Sequence, residues 1–274
     1  MNLTTLNKKG ITMTQLKLIG IIFMIFDHIH EFFNFAPTWF NCIGRLVAPM
    51  FLFSLAEGMY YTSNRKKYLS RLYIASILMA IGNTLVMKLF PSPTDSSMII
   101  INNIFATLFL TGLYIVFVDK FKLGIKNKSF KIIVQSILLM LLPLLLSALS
   151  LMIMSNENIP LIVFQIIMIF IPNPMLVEGG IIFIIIGVML YIFRNNRTKE
   201  VLIFIIISLA SLFMGSGFNF HVTFVENYQW MMIFASIFML LYNNKKGTGY
   251  KKFFYIFYPS HIYILYILSI LLTK

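Results

Sequence analysis

Charge is scarce in this chain: Asp, Glu, Lys and Arg make up only 11% of its 274 residues, where a soluble domain carries about 25%. That shortage excludes a water-exposed surface of ordinary composition. Cysteine is nearly absent, and Cys42 has no second thiol with which to form an intrachain disulfide. There is no Cys/His spacing of the zinc type, no glycine-rich phosphate loop and no nucleophile-elbow serine. His28 and His30 are two residues apart, so on a helix they face away from each other and make a poor metal pair. No metal is expected. Acidic residues are the rarest charged class, 9 against 22 basic ones, for a net charge of +13.

Apolar residues fill the space, at 59% of the chain. They come in long runs, the signature of transmembrane helices. The spans read as 14–30, 43–61, 68–89, 98–118, 130–154, 176–193, 201–214, 230–242 and 253–272, with a shorter apolar segment at 159–171. Almost nothing is left for an extramembrane unit. The expected fold is an all-α integral membrane protein, one domain over 1–274, with about nine to ten transmembrane helices. After 14–26 comes Asp27-His28-Ile29-His30-Glu31 rather than a small-residue cleavage site, so the first span is expected to be retained.

Basic residues cluster between the runs, as the positive-inside rule requires of cytoplasmic loops. The charge therefore points to topology and lipid headgroups rather than to nucleic acid. With Lys8, Lys9 and Lys17 in the cytoplasm, Arg65, Lys66, Lys67 and Arg71 fall inside, as do Lys120, Lys122, Lys126, Lys128 and Lys131. The segment 159–171 decides the rest. Its 13 or so residues make roughly 20 Å of helix, against about 30 Å of hydrocarbon, and Pro160, Pro172 and Pro174 bracket it. A re-entrant or interfacial segment gives nine crossings, and puts every basic residue but Arg45, Lys88 and Lys274 on the cytoplasmic side. Tyr60, Tyr61, Tyr68, Trp39 and Trp230 at span ends fit an aromatic belt.

Ionisable residues in a span are costly, so each is a functional candidate. Lys17 and His28 are eleven residues apart, which places them on one helix face, about 20° apart and ~16 Å along the axis. A long ligand entering from the cytoplasm could meet both; the plainer role for Lys17 is a snorkelling anchor. His28 with Asp27 has the chemistry of a general base beside a carboxylate, although Asp27 could instead pair with Arg45. Glu57, in Leu55-Ala56-Glu57-Gly58, must be neutral, paired, solvated at the interface or facing a cavity. Pro259 and His261 sit inside the last span, where His261 could line a cavity or bond a carbonyl freed at the kink. His221 and Glu226, after Gly215-Ser216-Gly217, are weaker candidates.

These residues also carry a resemblance. The stretch 16–28, ending Phe26-Asp27-His28, resembles the start of TraX-family membrane proteins. Ile43-Gly44-Arg45-Leu46-Val47-Ala48-Pro49-Met50-Phe51, Glu57-Gly58 and Asn64-Arg65-Lys66-Lys67-Tyr68 follow in the family's order. Leu241-Tyr242-Asn243, Lys252-Phe253-Phe254-Tyr255 and Tyr258-Pro259-Ser260-His261 match near the end. The resemblance is strong over 14–75 and 228–266. It implies a role of the kind known for TraX, N-terminal acetylation of pilin, and a layout similar to larger membrane acyltransferases. One such group carries Arg-x10-His in its first span, and Lys17 and His28 keep that spacing with Lys for Arg. Lysosomal heparan acetyltransferase is similar at His28 or His30, Trp39 and Pro49. His30 stands where TraX relatives have Gly, which leaves two histidines as alternatives for the base.

The expected activity is acetyl transfer from cytoplasmic acetyl-CoA to an acceptor at or beyond the outer face, a pilin N-terminus or a cell-envelope polymer, in the cytoplasmic membrane of a bacterium. His28 would be the base, with His30 as its alternative. Asp27 and Arg45 would support it, Glu57 and His261 would line the cavity, and Lys17, Arg65, Lys66 and Lys67 would meet the CoA phosphates. The alternative is a proton-coupled transporter or flippase, for which buried Asp, Glu and His would form a relay. A reporter active only in the cytoplasm, fused after Lys274, is expected to stay inactive; a strong signal would overturn the nine-crossing arrangement.

Overall fold

Thr and Asn residues open the helices. Thr12 forms a capping box with Gln15, and Asn64, Asn103 and Asn196 each accept a backbone N–H of the first turn. These side chains satisfy donors that water would otherwise serve. The computed structural model describes residues 10–92, 99–213 and 227–272. Lys8, Lys9, Lys274, Met98, His221, Glu226 and the Gly215-Ser216-Gly217 stretch lie outside the described residues.

The helices are α1 (Met13–Phe32), α2 (Trp39–Gly44), α3 (Val47–Tyr61), α4 (Arg65–Leu89), α5 (Ile104–Lys126), α6 (Phe130–Met154), α7 (Leu161–Phe170), α8 (Gly180–Phe193), α9 (Arg197–Ala210), α10 (Ala235–Leu241) and α11 (Lys251–Leu272). A 3₁₀ turn, Gln229–Phe234, leads into α10. Among the described residues there is no β-strand, only a single bridge between Ile11 and Tyr242. Among the described residues, five stretches are long and apolar enough to cross a membrane: Trp39–Tyr61, Arg65–Leu89, Ile104–Lys126, Phe130–Met154 and Lys252–Leu272. Gly180–Phe193 and Gln229–Leu241 are shorter apolar helices. The first helix is not among the five, because Lys17, Asp27 and Glu31 interrupt it.

α3 is the central element. It packs against α1, α5, α8 and α10, and nearly all its residues are buried. α6 is the reverse: Leu138, Leu145 and Leu149 are exposed, while Ser136, Ser147 and Ser150 are buried. Large apolar side chains outside and small polar ones inside suit a hydrocarbon surround, where polar groups must find partners within the bundle. Close contacts rest on small residues. A Cβ on Gly187 of α8 would lie 2.4 Å from the Thr111 methyl of α5 and 3.0 Å from Leu52 of α3.

The ends of the helices fix their directions. Arg65, Asp119 and Tyr191 bond together and so bring the start of α4 and the ends of α5 and α8 to one end of the bundle. Arg194 meets Glu57 there, and Arg197 meets Asn244. The Met13 N–H bonds the Lys245 carbonyl. At the other end the Thr107 hydroxyl, near the start of α5, donates to the Glu178 carbonyl just before α8. α8 therefore runs parallel to α5, and α6 runs against it. The chain between α6 and α8 starts and finishes at the same end. That segment holds the ten-residue α7, which packs mainly on α4 and α6. Asn173 anchors it by bonding Ser147 and Ser150.

The helices differ modestly from the expected spans. α5 begins at Ile104 rather than at 98, since Asn103 is its cap. α9 begins at Arg197, because Asn196 starts the helix ahead of the apolar run.

Gly187→Val is expected to lower stability by about 1–3 kcal/mol through overpacking, seen as a reduced melting temperature in detergent. Gly249→Ala serves as the control, since nothing lies within 4 Å of its Cβ position.

Candidate functional site

A cavity of about 730 Å³ runs between α1, α3 and α11. Its lining includes Lys17, Arg71 and Lys246 toward the basic end, Ser54 and Glu57 on α3, and Asp27, His28, Arg45 and Glu178 toward the other end. Two glycines let its walls approach. A Cβ on Gly44 would fall 1.9 Å from an Asp27 oxygen, and one on Gly20 would fall 3.2 Å from the Phe51 ring.

The close approach at Gly44 brings Arg45 over Asp27, and Arg45 Nη2 donates to Asp27 Oδ1 at 3.3 Å. Of the two pairings open to Asp27, this is the one formed. Glu178 lines the same end of the cavity as this pair. The Tyr258 hydroxyl donates to Glu178 at 3.0 Å and accepts the Ile104 N–H at 3.1 Å.

His28 is buried, and both its ring nitrogens are engaged. His261 Nδ1 is 2.8 Å from the Phe257 carbonyl, which can only accept, so this nitrogen carries the proton and Nε2 is bare. That bare nitrogen lies 3.1 Å from His28 Nδ1, and the Met24 carbonyl lies 2.9 Å from the same atom. His28 Nδ1–H is thus shared between two acceptors. Its Nε2 keeps the lone pair, which faces the Asn102 amide at 3.4 Å. Asn102 also donates to Glu31 at 3.2 Å. The 102–103 segment is held by α4, through Asn83 to the Asn102 carbonyl and Asn103 to the Ser76 carbonyl. In this tautomer the Nε2 lone pair of His28 faces the Asn102 amide, with Glu31 Oε2 3.7 Å away.

The candidate residues are not all brought together. His30 turns away from the cavity and bonds the Ala36 carbonyl at 3.3 Å, so of the two histidines only His28 lines the cavity. His261 sits behind His28 as well as bonding a carbonyl. Lys17 lines the cavity with its Nζ over the Phe254 ring. Glu57 lies 3.8 Å from Arg194 and is buried. Arg65 is committed to Asp119, Tyr191 and the Met59 carbonyl. Together with Lys66 it borders a separate, shallower apolar groove, and Lys67 is exposed. Arg71 and Lys246 take the place at the mouth. Sequence reasoning missed them, and also Asn102, Tyr258 and Glu178. The signal for Glu178 was an acid followed by Gly179-Gly180 directly before an apolar run. Among the described residues, no group of three or more His, Cys, Asp or Glu could hold a metal ion.

An all-helical bundle with an apolar exterior and ionisable side chains lining an internal cavity is a helical membrane protein. The family model described as TraX protein matches residues 12–144 and 134–269 of it, and the chain belongs to that family. It is also similar to the probable fimbrial assembly protein FimC, serogroup H1, of Dichelobacter nodosus, at 38% identity over 68 residues. That similarity covers 23% of this chain and 28% of the relative's length. No solved structure matches the chain significantly.

Arg45→Leu is expected to destabilise the protein by about 2 kcal/mol, because the partly buried Asp27 carboxylate loses its cation. Adding Asp27→Asn is expected to recover most of the loss. Melting temperatures of the two variants check this, and additive losses would refute the pairing.

Proposed function

We propose that this chain is a membrane-embedded acyltransferase. It moves an acetyl group from cytoplasmic acetyl-CoA to an acceptor at or beyond the outer face of a bacterial cell membrane. The observation that carries this reading is the single cavity, with cations at one end and a neutral histidine, a carboxylate and a guanidinium toward the other. The similarity to a protein named for fimbrial assembly supports a pilin N-terminus as acceptor; a cell-envelope polymer is the other candidate. The chain crosses the membrane nine times with the N-terminus in the cytoplasm, and α7 makes no net crossing.

In this mechanism Lys17, Arg71 and Lys246 meet the phosphates of CoA, and the thioester reaches toward His28. The acceptor amine or hydroxyl displaces the Asn102 amide and hydrogen-bonds to His28 Nε2. Its lone pair attacks the thioester carbonyl as its proton passes to Nε2. Arg45, or the pair it makes with Asp27, steadies the oxyanion. The C–S bond then breaks, the acetyl group stays on the acceptor, and the CoA thiolate leaves and takes up a proton. His261 holds His28 in the required tautomer.

A second reading is favoured by one observation. His261, His28 and Glu31 stand in sequence, and the Tyr258–Glu178 pair shares the cavity with His28, which would also suit proton coupling in a transporter.

Purified protein in nanodiscs, given radiolabelled acetyl-CoA, is expected to release CoA or take up label. His28→Ala is expected to lose at least about 100-fold of that rate, the usual contribution of a general base. Full activity in His28→Ala would remove the centre of the mechanism. Proton flux without acetyl transfer would favour the transporter.

A further inference from the structure

The cationic start of α4 borders a groove of its own, apart from the main cavity. That groove runs between α4 and α5 and holds about 580 Å³, within the range of small-ligand sites. Leu69, Phe109, Leu113 and Val116 line it. Leu69 packs so close to α5 that a Cβ on Gly112 would lie 2.6 Å from its side chain. The groove opens toward lipid: Ser70 lines it, and Ile74 and Leu78 continue the same exposed stripe at four-residue intervals.

Its two ends differ. At the deep end the Tyr73 and Phe109 rings meet, with centroids 5.0 Å apart. The Tyr73 hydroxyl donates there to the Phe170 carbonyl at the end of α7, at 2.8 Å. At the other end stand Arg65, Lys66 and Lys120. Arg65 is neutralised by Asp119. Among the described residues, Lys66 and Lys120 take part in no ion pair. α4 also opens with Arg65-Lys66-Lys67 and has no acid in its first turn, at the end where the helix dipole is positive. An anion at this rim would offset both excesses of positive charge. From Lys120 to Phe109 is eleven residues, or ~16 Å along α5, which matches half of a hydrocarbon core of about 30 Å.

We infer that the groove between α4 and α5 seats one anionic phospholipid, with an acyl chain over Leu69, Leu113 and Val116 and the phosphate against Lys66 and Lys120. The apolar floor accepts a chain of any lipid. The two lysines at the rim select a negative headgroup by charge complementarity. The aromatic wall of Tyr73 and Phe109 stops the groove at the depth where one leaflet stops. The seat is independent of the acyltransferase reading, since it shares no lining residue with the main cavity.

Native mass spectrometry of the full chain in an uncharged detergent tests the seat. The probes are phosphatidylglycerol and phosphatidylcholine with the same acyl chains. The wild type is expected to bind its first phosphatidylglycerol at least about tenfold more tightly than phosphatidylcholine. Lys66→Gln combined with Lys120→Gln is expected to erase that preference. Lys122→Gln combined with Lys126→Gln removes as much charge from α5 without touching the groove, and is expected to keep it. No preference in the wild type, or equal loss in both double variants, would overturn the seat, the latter by giving the effect to the basic surface as a whole. Ser70→Phe puts a ring across the groove and is expected to weaken both lipids by about tenfold. Ser70 is exposed and its hydroxyl bonds the Lys66 carbonyl one turn earlier, so little packing is at stake. Unchanged binding in Ser70→Phe would overturn the position of the chain. A wild-type dimer that Ser70→Phe splits would give the groove to a second copy of the protein and overturn the lipid. If Ser70→Phe unfolds, the lysine variants decide, since they alter the rim alone.

Discussion

In a hydrocarbon surround a polar group has no water to turn to, and that constraint arranges everything else in this protein. Buried Thr, Ser, Asn and Glu side chains sit among a core of Leu, Ile, Met and Phe, while further large apolar side chains cover the outside. The inward groups then have to satisfy one another. Asn173 ties a loop to two serines of α6, and Asn83 and Asn103 pin the segment before α5. What results is a set of polar contacts inside an apolar core whose parts fix each other's positions, His28 among them.

The same constraint explains why α3 is central. It carries Phe53 and Leu52 on the packed side, and Ser54 and Glu57 on the cavity side. It meets α1 through glycines, so its start comes close enough for Arg45 to reach Asp27. Position here is set by close backbone approach and by shared hydrogen bonds. Hydrophobic driving force between helices contributes little when lipid is as apolar as leucine.

Much of this was legible in the sequence. Long apolar runs gave the helices, and the prolines around 159–171 marked a segment that makes no net passage between the ends. The eleven-residue spacing put Lys17 and His28 on one face, and both line the cavity. The site was legible only in part. Arg65-Lys66-Lys67 reads as a phosphate-binding run, yet Arg65 serves an ion pair between α4 and α5, because a cation at a helix start takes the nearest carboxylate. Asn102 carried no signal, and Tyr258 stood out only in the block Tyr258-Pro259-Ser260-His261. Their value comes from distant segments meeting in space, with Asn102 and His28 74 positions apart, and spacing along one helix cannot report that.

The Asn102 amide rests on the lone pair of His28. A base already holding a hydrogen bond offers no vacancy to a stray water molecule. Only a group that competes successfully with an amide can gain the nitrogen. Such a guard sets a threshold of hydrogen-bonding strength that any molecule reaching for His28 has to pass.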